Sequence, residues 1–110
     1  MKVHLIKLKT IQNYTFRNRN SISGFTIWQN IISKADWESP KDIIAAFGNA
    51  DILGKGSDRV VFNIGGNKYR MIYSYYFGNQ NVHLYINWIG THSEYDKICD
   101  KNLQYTISKY

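Results

Sequence analysis

The sequence has little cysteine, little proline and no long apolar segment. Its 110 residues include a single cysteine, Cys99, and a single proline. One cysteine excludes an intrachain disulfide framework and a cysteine-rich zinc site, and it favours a reducing, cytoplasmic setting. No apolar run approaches the ~20 residues of a membrane helix, and the lysine-bearing N-terminus lacks a signal peptide's apolar segment. We therefore expect one cytoplasmic domain, residues 1–110, with no membrane contact.

Acidic residues are also scarce. Eight acidic residues stand against fourteen basic ones, which gives a net charge of +6, and aromatic residues make up 15% of the chain. The positive charge is concentrated in residues 1–34 and 59–93, on either side of an acidic stretch. Many small nucleic-acid-binding domains combine cations and aromatic rings in this way. A basic domain with an ordinary aromatic core has the same composition, so composition alone leaves both interpretations open.

Hydrophobic spacing predicts an α+β fold. The second half alternates in the manner of an antiparallel meander over residues 59–64, 68–77 and 82–89. The remaining elements are predicted as a strand at 3–8, a short helical stretch at 11–19, helices at 21–37 and 39–48, a loop at 51–57 and a helix opening at Thr91 with Glu94 at capping-box spacing. Helices are expected on one face of a small antiparallel sheet.

Strand parity assigns side chains to the two faces of this sheet. The core face is predicted to hold Val60, Phe62, Ile64, Tyr69, Met71, Tyr73, Tyr75, Phe77, Val82, Leu84, Ile86 and Trp88. A two-residue turn at Gly65-Gly66 would pair Phe62 with Tyr69 and Val60 with Met71. The other face would carry Arg59, Lys68, Arg70, His83 and Tyr85. Parity alone favours a solvated face, and a phosphate-binding face with stacking tyrosines is the functional alternative.

His92 is the histidine with the clearest chemical potential. It follows a strand and opens a helix, where backbone N–H groups can hold an anion and an imidazole can transfer protons. Tyr95 lies on the same helical face, one turn later. A solvated His92 and a core Tyr95 are the alternatives. The three histidines have no metal-ligand spacing, so we expect no metal site, and Cys99 lies in an apolar helical pattern typical of a core position.

Several long segments resemble the HigB-type toxins of bacterial type II toxin–antitoxin systems. The segments are ADIL at 50–53, RVVFNIGGNKYR at 59–70 and WIGTHSEYDKI at 88–98, with ADW at 35–37 and PKD at 40–42 upstream. The resemblance implies a RelE-like fold and a ribosome-dependent endoribonuclease that cuts mRNA through its 2′-hydroxyl. It also implies a cognate helix-turn-helix antitoxin of the HigA type, and neither metal nor cofactor.

The resemblance also implies roles for individual residues. Arg70 would hold the phosphate and His92 would act as acid or base, with Tyr95 and Lys68 as further catalytic candidates. Apart from the resemblance, the expected RNA contacts are Arg59, Asn67, His83, Tyr85 and Asn87, most of which strand parity assigns to the open face. These toxins often have arginine at the position of Asn87, and the first twenty residues match the family poorly. A non-catalytic RNA- or ribosome-binding module on the same fold is therefore an alternative. A purely structural or antitoxin-binding protein is a third, against which the positive charge argues.

Overall fold

A five-stranded sheet is the framework of the protein in this computed structural model, which describes residues 1–48, 50–54 and 56–110. Its strands are β1 (Lys2–Ile6), β2 (Asp51–Leu53), β3 (Arg59–Ile64), β4 (Tyr69–Phe77) and β5 (Asn81–Thr91). The strand order is β1-β5-β4-β3-β2, with β1 parallel to β5 and the other neighbours antiparallel. The α+β class and the antiparallel meander are thus confirmed, and the parallel edge strand β1 makes the sheet mixed.

The described residues also form four α-helices. They are α1 (Leu8–Arg17), α2 (Ile22–Ser33), α3 (Pro40–Ala46) and α4 (His92–Asp100), with a 3₁₀ turn at Arg19–Ser21. The predicted start of α4 is confirmed, because the Glu94 N–H donates to Thr91 Oγ1 at 3.2 Å and the Thr91 N–H donates to Glu94 Oε1 at 2.8 Å. Within the described part of the chain, no helix has the length and hydropathy needed to cross a bilayer.

Helices α1, α2 and α3 cover one face of the sheet and enclose the main core. Trp28 of α2 stacks on Tyr73 of β4 with ring centroids 5.1 Å apart, and it meets Phe62 of β3 edge-on at 5.4 Å. Phe62 in turn lies 4.7 Å from Phe47, which follows α3. Offset and edge-on ring pairs add to the free energy gained by burying the rings. This aromatic stack holds the helical layer on the sheet.

A β-bulge in β5 changes which of its side chains point to the face of the sheet opposite α1, α2 and α3, which we call the second face. Ile72 pairs with Trp88 but Tyr73 pairs with Ile86, so Asn87 is an extra residue. Trp88 therefore packs with Val61, Ile72 and Ile98 of α4 in a separate small core. The predictions that Trp88 shares a face with Ile86 and that all helices lie on one face are wrong, because parity arguments assume an unbroken strand.

The β3–β4 pairing differs from the predicted register by two residues. Phe62 pairs with Met71 and Val60 with Tyr73, because residues 65–68 form a four-residue turn. Gly65 and Gly66 have φ of 64° and 68°, which only glycine adopts readily. A shift of two preserves the side-chain faces, so the predicted faces of β3 and β4 survive the register error. Residues 51–53, predicted as loop, form β2 instead.

The C-terminal segment, residues 101–110, lies across the second face beside α4. Arg59 Nη1 donates to the Gln104 and Ile107 carbonyl oxygens at 3.2 and 2.7 Å. Further along the same segment, the Lys109 N–H donates to the Asn87 carbonyl oxygen at 2.8 Å. These long-range bonds tie a segment of weak sequence pattern to the sheet.

Gly90 offers a test of the bulged arrangement. A Cβ at residue 90 would overlap the Trp88 ring, whereas a Cβ at Gly48 would meet open space. We predict that Gly90→Ala lowers the free energy of unfolding by about 1–3 kcal/mol, because the ring must move in a packed core. Gly48→Ala is the matched control and should change it little. Urea denaturation measures both, and wild-type stability of Gly90→Ala would contradict the packing described here.

Candidate active site

The end of β5 and the start of α4 bring the four predicted catalytic residues together at one end of the second face, where β4 begins and β5 ends. Arg70 on β4 pairs with Gly90 on β5. His92 opens α4, and its N–H donates to the Lys68 carbonyl oxygen at 3.1 Å. Tyr95 lies one turn further along α4. Lys68, Arg70, His92 and Tyr95 are thus neighbours, although their sequence positions span 28 residues.

Arg70 combines a fixed position with an unused hydrogen-bond donor. Its guanidinium carbon lies 5.9 Å from the centre of the Tyr95 ring, a cation–π contact. Its Nη1 is buried and has no hydrogen-bond partner among the described residues. An unpaired buried donor is unfavourable in the free protein, and a charged one favours an anionic partner strongly. Arg70 is therefore the residue of this cluster best suited to hold a phosphate oxygen.

Tyr95 is partly buried between Arg70 and the Trp88 ring, whose centroid lies 6.1 Å from its own. Burial raises the pKa of the Tyr95 hydroxyl, and a hydrogen bond with Cys99 raises it further. The Asp51 carboxylate on β2 also acts in this direction, while the Arg70 charge opposes it. Tyr95 is consequently a protonated hydrogen-bond donor at neutral pH and not a base.

His92 presents its imidazole to solvent, with 48% of the side chain exposed. Its Nε2 lies 3.6 Å from the Asp96 carboxylate one helical turn later, which holds the ring when it is protonated. The N-terminus of α4 has fewer free N–H groups for an anion than the sequence suggested, because the N–H groups of His92 and Glu94 already have acceptors. Arg70 is therefore better placed than this helix terminus to meet an anion, and the exposed His92 imidazole is accessible for proton transfer.

Two neighbours of the site escaped the sequence analysis. Asp96 is at i+4 from His92, a spacing that indicates a helical contact once His92 is placed on a helix. Asp51 pairs with Val61 and so lies on the second face, the side of Tyr95. It was assigned to a loop, and only the pairing of β2 with β3 places it here. Among the described residues, no group of three or more histidine, cysteine or acidic side chains could hold a metal ion.

The residues expected to contact RNA do not form one surface. Arg59 is only 8% exposed and binds the C-terminal segment, so it stabilises the fold instead of offering a cation to RNA. Asn87 is 9% exposed in the bulge, where its Oδ1 accepts a hydrogen bond from Ser74 Oγ at 2.7 Å. Asn67 is exposed in the β3–β4 turn beside Lys68. His83 and Tyr85 lie in the far half of β5, up to about 30 Å from His92 along the strand.

Comparison with known proteins identifies the class. The family model of HigB toxins, described as the RelE-like toxic component of a toxin–antitoxin system, matches residues 23–98. The chain is 29% identical over 94 residues to the mRNA interferase toxin HigB of Escherichia coli (strain K12). The aligned residues cover 86% of this chain and 88% of that protein. It is 25% identical over 96 residues to the mRNA interferase HigB of Escherichia coli O6:H1, which spans 87% and 91%.

The family match includes every residue of the candidate active site. It extends from α2 through most of α4 and covers more than half of the chain. The protein therefore belongs to the HigB toxin family, whose members are RelE-like toxins. Membership in this family implies an antitoxin partner.

Proposed function

We propose that this protein is an mRNA interferase, an endoribonuclease that cuts messenger RNA on the translating ribosome and so stops protein synthesis. Its relatives named mRNA interferase HigB support RNA cleavage as the activity. The single structural observation that carries the proposal is the Arg70 guanidinium, held over the Tyr95 ring near the exposed His92 imidazole, because RNA cleavage needs a cation at the phosphate and a group that moves a proton.

The proposed reaction uses the RNA's own 2′-hydroxyl and requires neither metal nor cofactor. The 2′-oxygen attacks phosphorus, the bond from phosphorus to the 5′-oxygen breaks, and the products are a 2′,3′-cyclic phosphate and a free 5′-hydroxyl. The Arg70 fork would bind the non-bridging oxygens, on which negative charge increases in the transition state. Lys68, exposed in the adjacent turn, supplies a second cation.

Proton transfer in this scheme depends on His92. Neutral His92 accepts the proton of the 2′-hydroxyl, and Asp96 then stabilises the imidazolium across 3.6 Å. Tyr95 remains protonated because burial raises its pKa, so it donates a hydrogen bond to the phosphate. The 5′-oxygen takes its proton from water. The chain thus has one base and no matched acid, which is weak equipment for a self-sufficient ribonuclease.

The proposed partners follow from this scheme. The ribosome would orient the message, and a helix-turn-helix antitoxin of the HigA type would neutralise the toxin. Both functions place the protein in the cytoplasm, where translation occurs. The +6 net charge suits binding to ribosomal RNA, and such binding weakens steeply as salt increases.

The first prediction from the proposed mechanism concerns Arg70. Arg70→Ala should reduce mRNA cleavage by about 10²–10³-fold and relieve growth arrest, because the phosphate loses its charged donor. Circular dichroism and urea denaturation should show an intact fold. The matched control is Arg17→Ala, which removes an exposed arginine of α1 and should leave toxicity unchanged. Full toxicity of a well-expressed Arg70→Ala variant would remove this residue from the mechanism.

The second prediction concerns Tyr95. Tyr95→Phe removes one hydrogen bond and should lower the cleavage rate by up to about tenfold. Since the pKa of Tyr95 is raised above its ordinary value of 10.0, the hydroxyl stays protonated over roughly pH 6 to 9. The shape of the pH–rate profile over this range should therefore be the same in both proteins. Loss of an alkaline or acidic limb in the variant would show that Tyr95 itself titrates.

The third prediction concerns the ribosome. Incubation of the purified protein with one mRNA should give strong cleavage with translating ribosomes and little without them, because orientation of the 2′-oxygen can contribute several kcal/mol, about 7–11 at most. Mapping of the cut positions measures both reactions. Equal cleavage of naked RNA would contradict ribosome dependence. Absence of cleavage in both reactions, with retained ribosome binding, would favour the non-catalytic alternative.

A further inference from the structure

Three aromatic rings cross the end of the second face that lies away from the candidate active site. His4 of β1, His83 of β5 and Tyr76 of β4 occupy paired positions on adjacent strands. His4 and His83 meet edge-on with ring centroids 5.7 Å apart, and Tyr76 stacks on His83 at 6.1 Å with an interplanar angle of 25°. We call these three side chains the ring row.

The ring row is accessible to solvent, and the β4–β5 turn lies close to it. Tyr76 is 63% exposed, and Tyr85, two residues beyond His83 on the same face, is 46% exposed. Gly78 in the β4–β5 turn lies close to the pair, since a Cβ there would be in van der Waals contact, 3.6 Å, with both His83 Nε2 and the Tyr76 ring. His83 Nδ1 is buried and has no hydrogen-bond partner among the described residues. The row therefore combines a fixed aromatic surface with an unused polar atom.

Two exposed lysines flank the ring row, and the Asp36 carboxylate near one of them, Lys2, is paired with the terminal ammonium of Met1. Lys2 lies two residues before His4 on the same strand and face, and Lys7 directly follows Ile6, the residue that pairs with Tyr85. Both lysines are exposed. Exposed rings interleaved with cations are the arrangement with which proteins bind unpaired nucleic acid, because bases stack on the rings and phosphates meet the cations. An apolar protein partner would instead bury these lysines without compensation.

We propose that the ring row is a second RNA-binding site, which stacks unpaired RNA bases at a distance from the cleaved phosphate. This inference rests on the proposed function, since it assigns the site to an RNA-cleaving protein. Tyr76 is six residues from Arg70 along β4, about 20 Å, and the C-terminal segment crosses the face between them. The site therefore contributes to RNA affinity and not to the bond-breaking step.

The test uses a fluorescein-labelled RNA of six uridines with 2′-O-methyl groups, which attack by a 2′-hydroxyl cannot cut. Fluorescence anisotropy gives the Kd for the whole protein and its variants. Tyr76→Ala and His83→Ala should each raise the Kd about fivefold or more, as expected for the loss of one stacked base. Phe16→Ala removes an equally exposed ring from α1, 71% exposed, and should leave the Kd unchanged. Thermal unfolding verifies that every variant is folded.

Arg70→Ala separates this inference from the proposed function. It should reduce mRNA cleavage by about 10²–10³-fold, while the Kd for the methylated RNA changes less than in Tyr76→Ala. If Tyr76→Ala and His83→Ala bind the RNA as wild type does, or if wild type does not bind it, the ring row is not an RNA site. A loss of antitoxin binding in these variants with unchanged RNA binding would also overturn the proposal, since it would assign the surface to the protein partner.

Discussion

The bulge at Asn87 in β5 is the constraint on which the candidate site depends. One extra residue turns Trp88 to the second face, where it packs with Val61, Ile72 and Ile98. That packing holds α4 against the sheet, and α4 in turn places Tyr95 over the Arg70 guanidinium. Without the bulge, Trp88 would point to the main core and the second face would offer α4 no aromatic anchor. The position of α4, and with it the geometry of the site, thus depends on one extra residue in β5.

A polar line beside the bulge divides the second face into two regions. Arg59 on β3 pairs with Ser74 on β4, and Ser74 donates to Asn87 on β5. The C-terminal segment crosses over this line and accepts hydrogen bonds from Arg59. Burial lowers the pKa of the Arg59 guanidinium, and the two backbone carbonyls that accept from its Nη1 offset part of the cost of burying the charge. The candidate active site lies on one side of the segment and the ring row on the other.

The features that the sequence predicts well are local ones. The Thr91–Glu94 cap depends on residues three apart, and the faces of Arg70 and Met71 depend on alternation within a single strand. Both are confirmed. The bulge, the four-residue turn and the pairing of β2 depend on how one strand pairs with its neighbour, which the periodicity within a single segment does not encode. Arg59 shows the consequence: parity places it on the correct face, but only the C-terminal segment, which has no clear pattern, determines that it is buried.

Removal of a single 2′-hydroxyl from the message tests the proposed mechanism most directly. After the cut position in one mRNA is mapped during translation, a message with a 2′-deoxynucleotide at that position is translated with the purified protein. The account predicts no cut at the altered position, and 2′,3′-cyclic phosphate and 5′-hydroxyl ends in the unaltered message, because the 2′-oxygen is the nucleophile. Cleavage at the 2′-deoxynucleotide would contradict the mechanism built on Arg70 and His92.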